Sequence, residues 1–314
     1  MKKLFFTGGG GAGNEALWRY FNNDYDVHFG DADIQSIDLA IPQTNRHKIP
    51  YANSLDFIEN LSELCKKLSI DLLIPGVDEE LLLLAESAGE FLPTKLLLPN
   101  ANYIETMLNK YEMVKCLDKI HLPVPKTELL SNNSFGIDTP CILKPIYGRG
   151  SRDVYVIEKN KDINDFKKKY GKNSKEYIVQ EKIVGTEYTV QMMCDEKKQL
   201  HAIIPVKILL KRGVTLRGVT DNQKNIIKAC KAIHNALPTK GTYNIQLILT
   251  SNKKVLPFEI NPRISTTFCL ALHAISMDPV DLYLSEQKQN SQLSIVKSGI
   301  QIRRHWRNYI FSSN

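Results

Sequence analysis

Long apolar runs are missing from this 314-residue sequence. None reaches the about 18 residues that a membrane-spanning helix needs, and the opening MKKLFF passes into glycines without the apolar core of a secretory leader. Both absences point to the cytoplasm. Cysteine is sparse and scattered at 65, 116, 141, 194, 230 and 269, with no C-x-x-C spacing. That excludes a disulfide framework and a cysteine zinc site. There are only 2 tryptophans and no recognisable nucleic-acid module. The phosphate-binding loop G-x-x-x-x-G-K-[ST] is absent, as are repeats and low-complexity linkers. The seven histidines show no metal-ligand spacing; His201, His234 and His273 read as satisfied or surface side chains.

What is present is an ordinary globular composition, 43% apolar and 24% charged. At roughly 150 residues per domain the length suits two domains, or three small ones. Charge is split along the chain. Residues 1–104 carry 8 basic and 15 acidic side chains, and residues 105–314 carry 33 and 19, a net +14. Such a basic part suits a polyanionic ligand, although runs such as Lys167–Lys169 read better as solvated surface.

Strands alternate with helices over the first hundred residues: strand 3–7, helix Asn14–Phe21, strand Asp26–Phe29, helix Ser54–Leu68, strand Asp71–Pro75 and helix Glu79–Phe91. This pattern predicts a parallel α/β sheet. Beyond residue 100 the texture becomes α+β. A helix over Ile104–Ile120 precedes strand-like runs at Cys141–Lys144, Val154–Ile157, Tyr177–Gln180 and Tyr188–Cys194. A helix at Gln223–Leu237, paired strands at Thr242–Thr250 and Val255–Ile260, and a helix near Pro279 follow. Arg303–Arg307 reads as a basic, aromatic last strand or tail packed on this part.

Gly8, Gly10 and Gly13 satisfy G-x-G-x-x-G between a strand and a helix, with Asp31 and Asp33 where a dinucleotide fold places its ribose-binding acid. An NAD(P)-dependent oxidoreductase is one reading of this loop. A tight first turn shared by many Rossmann-like sheets is the other.

The second half carries a different set. Lys144 ends a strand and is followed by Gly148-Arg149-Gly150-Ser151, where a lysine and backbone N–H groups can cover phosphate oxygens. A plain hairpin turn gives the same pattern. Glu181 and Glu187 bracket Lys182-Ile183, an apolar stretch able to read a base edge through its backbone and a ribose through Glu187; two surface acids look alike. In Phe258-Glu259-Ile260-Asn261-Pro262-Arg263 the period of two places Glu259 and Asn261 on one strand face and Phe258 and Ile260 on the other. Gln246 in the preceding strand can stand opposite. Such oxygen donors suit Mg²⁺, and Arg263 just beyond can neutralise a phosphoryl group. A solvent-facing strand would also alternate.

The ordered series Thr7–Gly13, Ile74–Glu80, Asn109-Lys110-Tyr111, Lys144–Ser151, Gln180–Glu187 and Gln246 with Glu259–Arg263 resembles the ATP-grasp superfamily, in its carbamoyl-phosphate-synthase large-subunit-like branch. The resemblance covers nearly the whole chain. It implies an N-terminal α/β Rossmann-like domain over 1–105, a linker helix and lid over 106–187, and a C-terminal ATP-grasp domain over 188–314. It also implies ATP with Mg²⁺ or Mn²⁺. Lys110, Lys144 and Gly148–Ser151 would meet phosphates, Glu181, Lys182, Ile183 and Glu187 the adenosine, and Gln246, Glu259 and Asn261 the metal. Arg263 and Lys144 would be catalytic, and Arg217 is a further catalytic candidate.

Gln246 stands where many members have an acid. The chain also lacks the second synthetase half, the carbamate tunnel and the glutaminase-docking regions of a full carbamoyl-phosphate synthase. The expected activity is therefore ATP-dependent activation of a small carboxylate through an acyl phosphate, then ligation to an amine. Bicarbonate or carbamate phosphorylation and non-catalytic ATP binding are the alternatives. Arg212 and Arg217, five apart in a glycine-containing loop, are candidates for a substrate carboxylate, with Gly10 and Gly11 facing the same cleft. No nucleic acid or membrane is expected as a partner, and a homodimer is compatible with the resemblance.

Overall fold

The structure, a computed structural model, describes residues 1–132, 136–284 and 293–310. Its first sheet is parallel and five-stranded, in the order β3-β2-β1-β4-β5. The strands are β1 (Lys3–Thr7), β2 (Asp26–Asp31), β3 (Arg46–Lys48), β4 (Leu72–Ile74) and β5 (Lys95–Leu96). Phe5 and Leu73 are buried under one face with Leu61 and Cys65 of helix α2 (Phe57–Leu68) and Leu81 of α3 (Asp78–Glu86). On the other face Leu4 and Phe6 meet Leu17 and Phe21 of α1 (Asn14–Phe21). Strands covered by helices on both sides read as continuous apolar runs, which is why this part is legible as parallel α/β. The order reverses between β1 and β4, so the loops leaving their carboxyl ends splay apart and leave a crevice.

Residues 101–119 form two helices, α4 (Ala101–Leu108) and α5 (Lys110–Lys119), where the apolar pattern suggests one. Asn109 makes the break. Its Oδ1 accepts from the Tyr111 and Glu112 N–H groups at 3.1 and 3.0 Å, capping a new helix.

A four-stranded antiparallel sheet of order β6-β9-β7-β8 follows, from β6 (Thr127–Leu129), β7 (Cys141–Pro145), β8 (Tyr155–Ile157) and β9 (Tyr177–Glu181). Helix α6 (Asn160–Tyr170), which the sequence reading omits because its lysines mask the apolar positions, packs Ile163 and Phe166 on it. This layer has its own small core around Leu130, Leu143 and Val179.

The third sheet has six strands in the order β14-β13-β10-β11-β12-β15. They are β10 (Thr186–Cys194), β11 (Leu200–Arg212), β12 (Val214–Thr220), β13 (Gly241–Leu249), β14 (Val255–Asn261) and β15 (Gln301–Arg303). Helix α7 (Lys224–Ala236) covers one face of the sheet with α5, burying Ile226 and Ile233 against Val190 and Met192. The other face joins the first sheet: Phe268 and Leu272 of α8 (Phe268–His273) and Tyr283 of α9 (Pro279–Leu284) share one core with Leu4, Phe21 and Ile204. The first and third sheets therefore clasp a common core, while the four-stranded layer is packed separately.

One expectation is corrected here. Residues 211–217 are not a loop but the tip of the β11–β12 hairpin, turning at Gly213 with φ +70°. Pro205 in mid-strand and the basic end of β11 hide the strand in the sequence.

Candidate functional site

The glycine loop after β1 lines a cleft of about 830 Å³, together with Gly76 and Glu80 from the β4 loop and α3. Gly8 adopts φ +64°, and a Cβ on Gly10 would lie 2.0 Å from the Ser36 hydroxyl, so glycine is required by close packing. The loop spends its own donors. Gly9 N–H donates to Gly30 O at 2.9 Å, Gly11 N–H to Gly8 O at 2.8 Å, and Gly10 N–H to Asp31 Oδ2 at 2.9 Å. Asp31 Oδ1 accepts from Asp33 N–H at 3.0 Å. The acid that a dinucleotide reading assigns to a ribose is thus engaged in holding its own loop.

A second cleft of about 260 Å³ lies between the four-stranded and six-stranded sheets, walled by Ile142, Ile183, Ile248 and Phe258. Lys144, Glu181 and Glu187 reach it, and Lys110 and Gly148 stand at its end. Both clefts are lined by Arg149, Lys211, Gln246 and Glu259, so they form one continuous slot. Phe258 departs from the expected alternation. Gln246 pairs with Glu259 but Leu247 with Pro257, and the extra residue in β14 turns the Phe258 ring toward the slot.

Lys144 is 5% exposed, donates to Phe258 O at 3.2 Å, and lies 5.3 Å from the Phe258 ring centroid. Burial pushes its pKa down to about 8; Lys110 and Lys211 push the same way, and Glu259 opposes. Lys110, also buried, donates from Nζ to Gly148 O at 2.6 Å, and Asn109 Nδ2 donates to Tyr147 Oη at 3.0 Å. The start of α5 therefore anchors the glycine loop of residues 148–151. Arg149 of that loop meets Glu79 of α3, with Nε 3.1 and 3.3 Å from the carboxylate oxygens.

Antiparallel pairing places Gln246 opposite Glu259 and Asn244 opposite Asn261. Asn261 Nδ2 donates to Asn244 Oδ1 at 3.3 Å, which leaves its own Oδ1 available. The Glu259 carboxylate has no hydrogen-bond partner among the described residues. Two amide oxygens and one carboxylate on a shared face suit a hard divalent cation that keeps water and phosphate oxygens as its other ligands. Arg263 Nε donates to Asp78 Oδ1, which fixes the guanidinium at the mouth of the cleft.

Not every expected residue joins the slot. Arg212 lines the larger cleft, but Arg217 is exposed, stands opposite Arg303 on β15, and lines neither cleft. The hairpin gives the reason, because two residue positions five apart across a β-turn do not converge as they would in a loop. Lys182 is also outside: its ammonium pairs with Glu158 at 3.5 Å, and the residue lines neither cleft. Conversely, the structure brings in Lys211, which lines both clefts and which the sequence pattern does not single out from its neighbours. Its Nζ lies 2.6 Å from Glu187 Oε1 and 3.2 Å from Gln246 Oε1, between the expected ribose and metal contacts. Glu80 also lines the larger cleft, and its signal in the sequence is a third consecutive acid after an apolar strand end. Elsewhere, His28 Nδ1 and His47 Nε2 meet at 3.0 Å across β2 and β3, a pairing that spacing in sequence conceals.

The ATP-grasp domain model matches residues 107–267, more than half of the chain. The chain belongs to the ATP-grasp family. Its fold is similar to carboxyaminoimidazole ribonucleotide synthase from Aspergillus clavatus complexed with ATP, with TM-score 0.71, 16% identity, and coverage of 94% of this chain and 80% of that one. It is also similar to biotin carboxylase from Campylobacter jejuni in its β-γ-ATP complex (TM-score 0.70, 15% identity, 94% and 73% covered). The L-amino acid ligase from Bacillus licheniformis gives TM-score 0.67 at 14% identity, with 90% and 73% covered. The three act on different substrates by their names, so the likeness is one of ATP-grasp architecture.

Proposed function

We propose that the protein is an ATP-dependent ligase that phosphorylates a small carboxylate and transfers the acyl group to an amine. The observation that carries this reading is the continuity of the two clefts. A narrow slot with apolar walls and a lysine-rich end opens, at Lys211, Gln246 and Glu259, into a broad charged cleft. ATP in the slot would present its γ-phosphate to a second molecule in the cleft.

The adenine lies between Ile142, Ile183 and Ile248, and Glu187 accepts from the ribose once Lys211 turns to the phosphates. Lys110 and Lys144 hold the phosphate chain, and their neutralising charge is strong because both are nearly removed from water. Gln246, Glu259 and Asn261 would hold Mg²⁺, which supplies charge neutralisation at the β- and γ-phosphates. Arg263, set by Asp78, and Arg212 bind the carboxylate and orient it for attack. Neither the Arg212 nor the Arg152 guanidinium has a hydrogen-bond or ion-pair partner among the described residues, so both are available to an anion. The acyl phosphate is water-labile, and the loop at 148–151, tied to Glu79 and Lys110, shields it.

The test is ADP release and hydroxamate formation from a panel of carboxylates with hydroxylamine. Glu259→Ala is expected to lower turnover at least ~100-fold with an unchanged melting temperature. Undiminished turnover in that variant sinks the assignment.

A further inference from the structure

Two of the three acids on the glycine-loop side of the large cleft are already committed: Asp31 to the Gly10 and Asp33 N–H groups, and Glu79 to Arg149. Glu80 is the exception. It lies in the first turn of α3, is 5% exposed, and lines the cleft that also holds Glu259 and Arg263. One carboxylate oxygen accepts from the Thr7 hydroxyl, which in turn accepts from Gly76 N–H at 3.1 Å. The other oxygen has no hydrogen-bond partner among the described residues. A buried carboxyl with one oxygen fixed and one open to a reactant cleft costs stability, and its burial needs a reason.

Building on the ligase reading, we propose that Glu80 is the proton acceptor for the attacking nucleophile, and that this nucleophile is an aliphatic amine entering as its ammonium form. The cleft holds an open group for each substrate. Arg152 and Arg212, whose guanidinium groups have no partner among the described residues, draw the carboxylate, and Glu80, with one oxygen free, draws the ammonium. Burial foremost, with Asp31 and Glu79 adding to it, pushes the Glu80 pKa up to about 7, against the Thr7 hydrogen bond and the Arg149 charge. A base poised near neutrality accepts a proton from an ammonium and releases it again to water.

The step balances as follows. R–NH₃⁺ gives one proton to the Glu80 carboxylate and becomes R–NH₂. The nitrogen lone pair forms the C–N bond while the C–O bond to phosphorus breaks. Phosphate leaves with that electron pair and takes the second amine proton, departing as HPO₄²⁻. Glu80 returns its proton to water when the cleft opens.

Hydroxylamine separates this role from a structural one, because it is already neutral at pH 7 and needs no base. With the carboxylate that gives the best hydroxamate yield, E80Q is expected to keep hydroxamate formation within about threefold of wild type while amide formation from alkylamines and amino acids falls ~100-fold. The amide deficit should shrink as pH rises toward the amine's own pKa. Should E80Q melt early, Glu80→Asp keeps a carboxyl withdrawn from Thr7 and is read by the same ratio. Equal loss of both activities in a variant that melts like wild type, or loss of neither, overturns the proposal alone. A wild-type protein that binds Mg-ATP yet forms no hydroxamate from any carboxylate overturns the ligase reading and this proposal with it.

Discussion

Replacing Lys144 with methionine should stabilise the ligand-free protein while weakening its hold on nucleotide. The lysine is buried at 5% exposure, and its pKa falls from 10.5 to about 8, chiefly through lost hydration. At about 1.4 kcal/mol per pKa unit this corresponds to roughly 3 kcal/mol held against the folded state. A lysine with a depressed folded pKa is protonated in both states below pH 8, where the penalty is complete. It fades as pH rises from 8 to 10.5, where both states become neutral. Methionine keeps most of the aliphatic stem against Phe258 and loses the bond to the Phe258 carbonyl, worth about 1 kcal/mol. The net gain at pH 7 is about 2 kcal/mol, or roughly 3 °C in melting temperature for a chain of this length. Thermal melts at pH 7 and pH 10.5, with and without Mg-ADP, read all of this at once. The expected result is a gain at pH 7 that vanishes or reverses at pH 10.5, with a smaller Mg-ADP shift at both. A variant that melts below wild type at pH 7, or that keeps the full Mg-ADP shift, refutes the reasoning.

Glu80 should show the opposite linkage. Its folded pKa is raised to about 7, so its stability contribution is intact below the ordinary carboxylate range and is lost as pH climbs through 7. E80Q melts are therefore expected to gain on wild type by up to ~3 kcal/mol above pH 7 and to converge with it near pH 4. Arg149→Ala removes a partly exposed ion pair to Glu79 worth no more than about 1 kcal/mol, so the melting temperature should hardly move. Limited proteolysis at residues 148–151 should nonetheless accelerate severalfold; an unchanged rate would show that Lys110 and Asn109 hold the loop without it. Gly76→Ala places a Cβ 2.6 Å from the Thr7 carbonyl, a backbone atom that cannot turn aside. A loss of about 1–3 kcal/mol in denaturant unfolding is expected, and a neutral outcome would mean that the β1–β4 crossing is looser than it looks.

The parallel sheet was legible because helices bury both its faces, so its strands survive as apolar runs between helices of the right period. The metal-binding candidates were legible for a similar reason: Glu259 and Asn261 share a face by the period of two, and pairing with β13 then brings Gln246 opposite. Hidden elements had mixed local signals. Pro205 interrupts β11, lysines cover α6, and Asn109 caps a second helix inside what reads as one apolar period.

What local pattern could not supply was direction. Lys211, Arg212 and Arg217 are near neighbours in sequence, yet only the hairpin decides that the first joins Glu187 and Gln246, the second faces the cleft and the third faces β15. Likewise the glycine loop spells a dinucleotide motif, but Asp31 folds back onto it and the N–H groups of Gly9, Gly10 and Gly11 close on the protein itself. The amino-acid order by itself determined the alternation of the first sheet, the change to an α+β texture and the set of charged and candidate metal-binding side chains, because these depend on period, turn chemistry and residue type. The tertiary structure alone decided which of those side chains lost their water and which met one another, because burial and pairing are set by elements that come together from opposite ends of the chain.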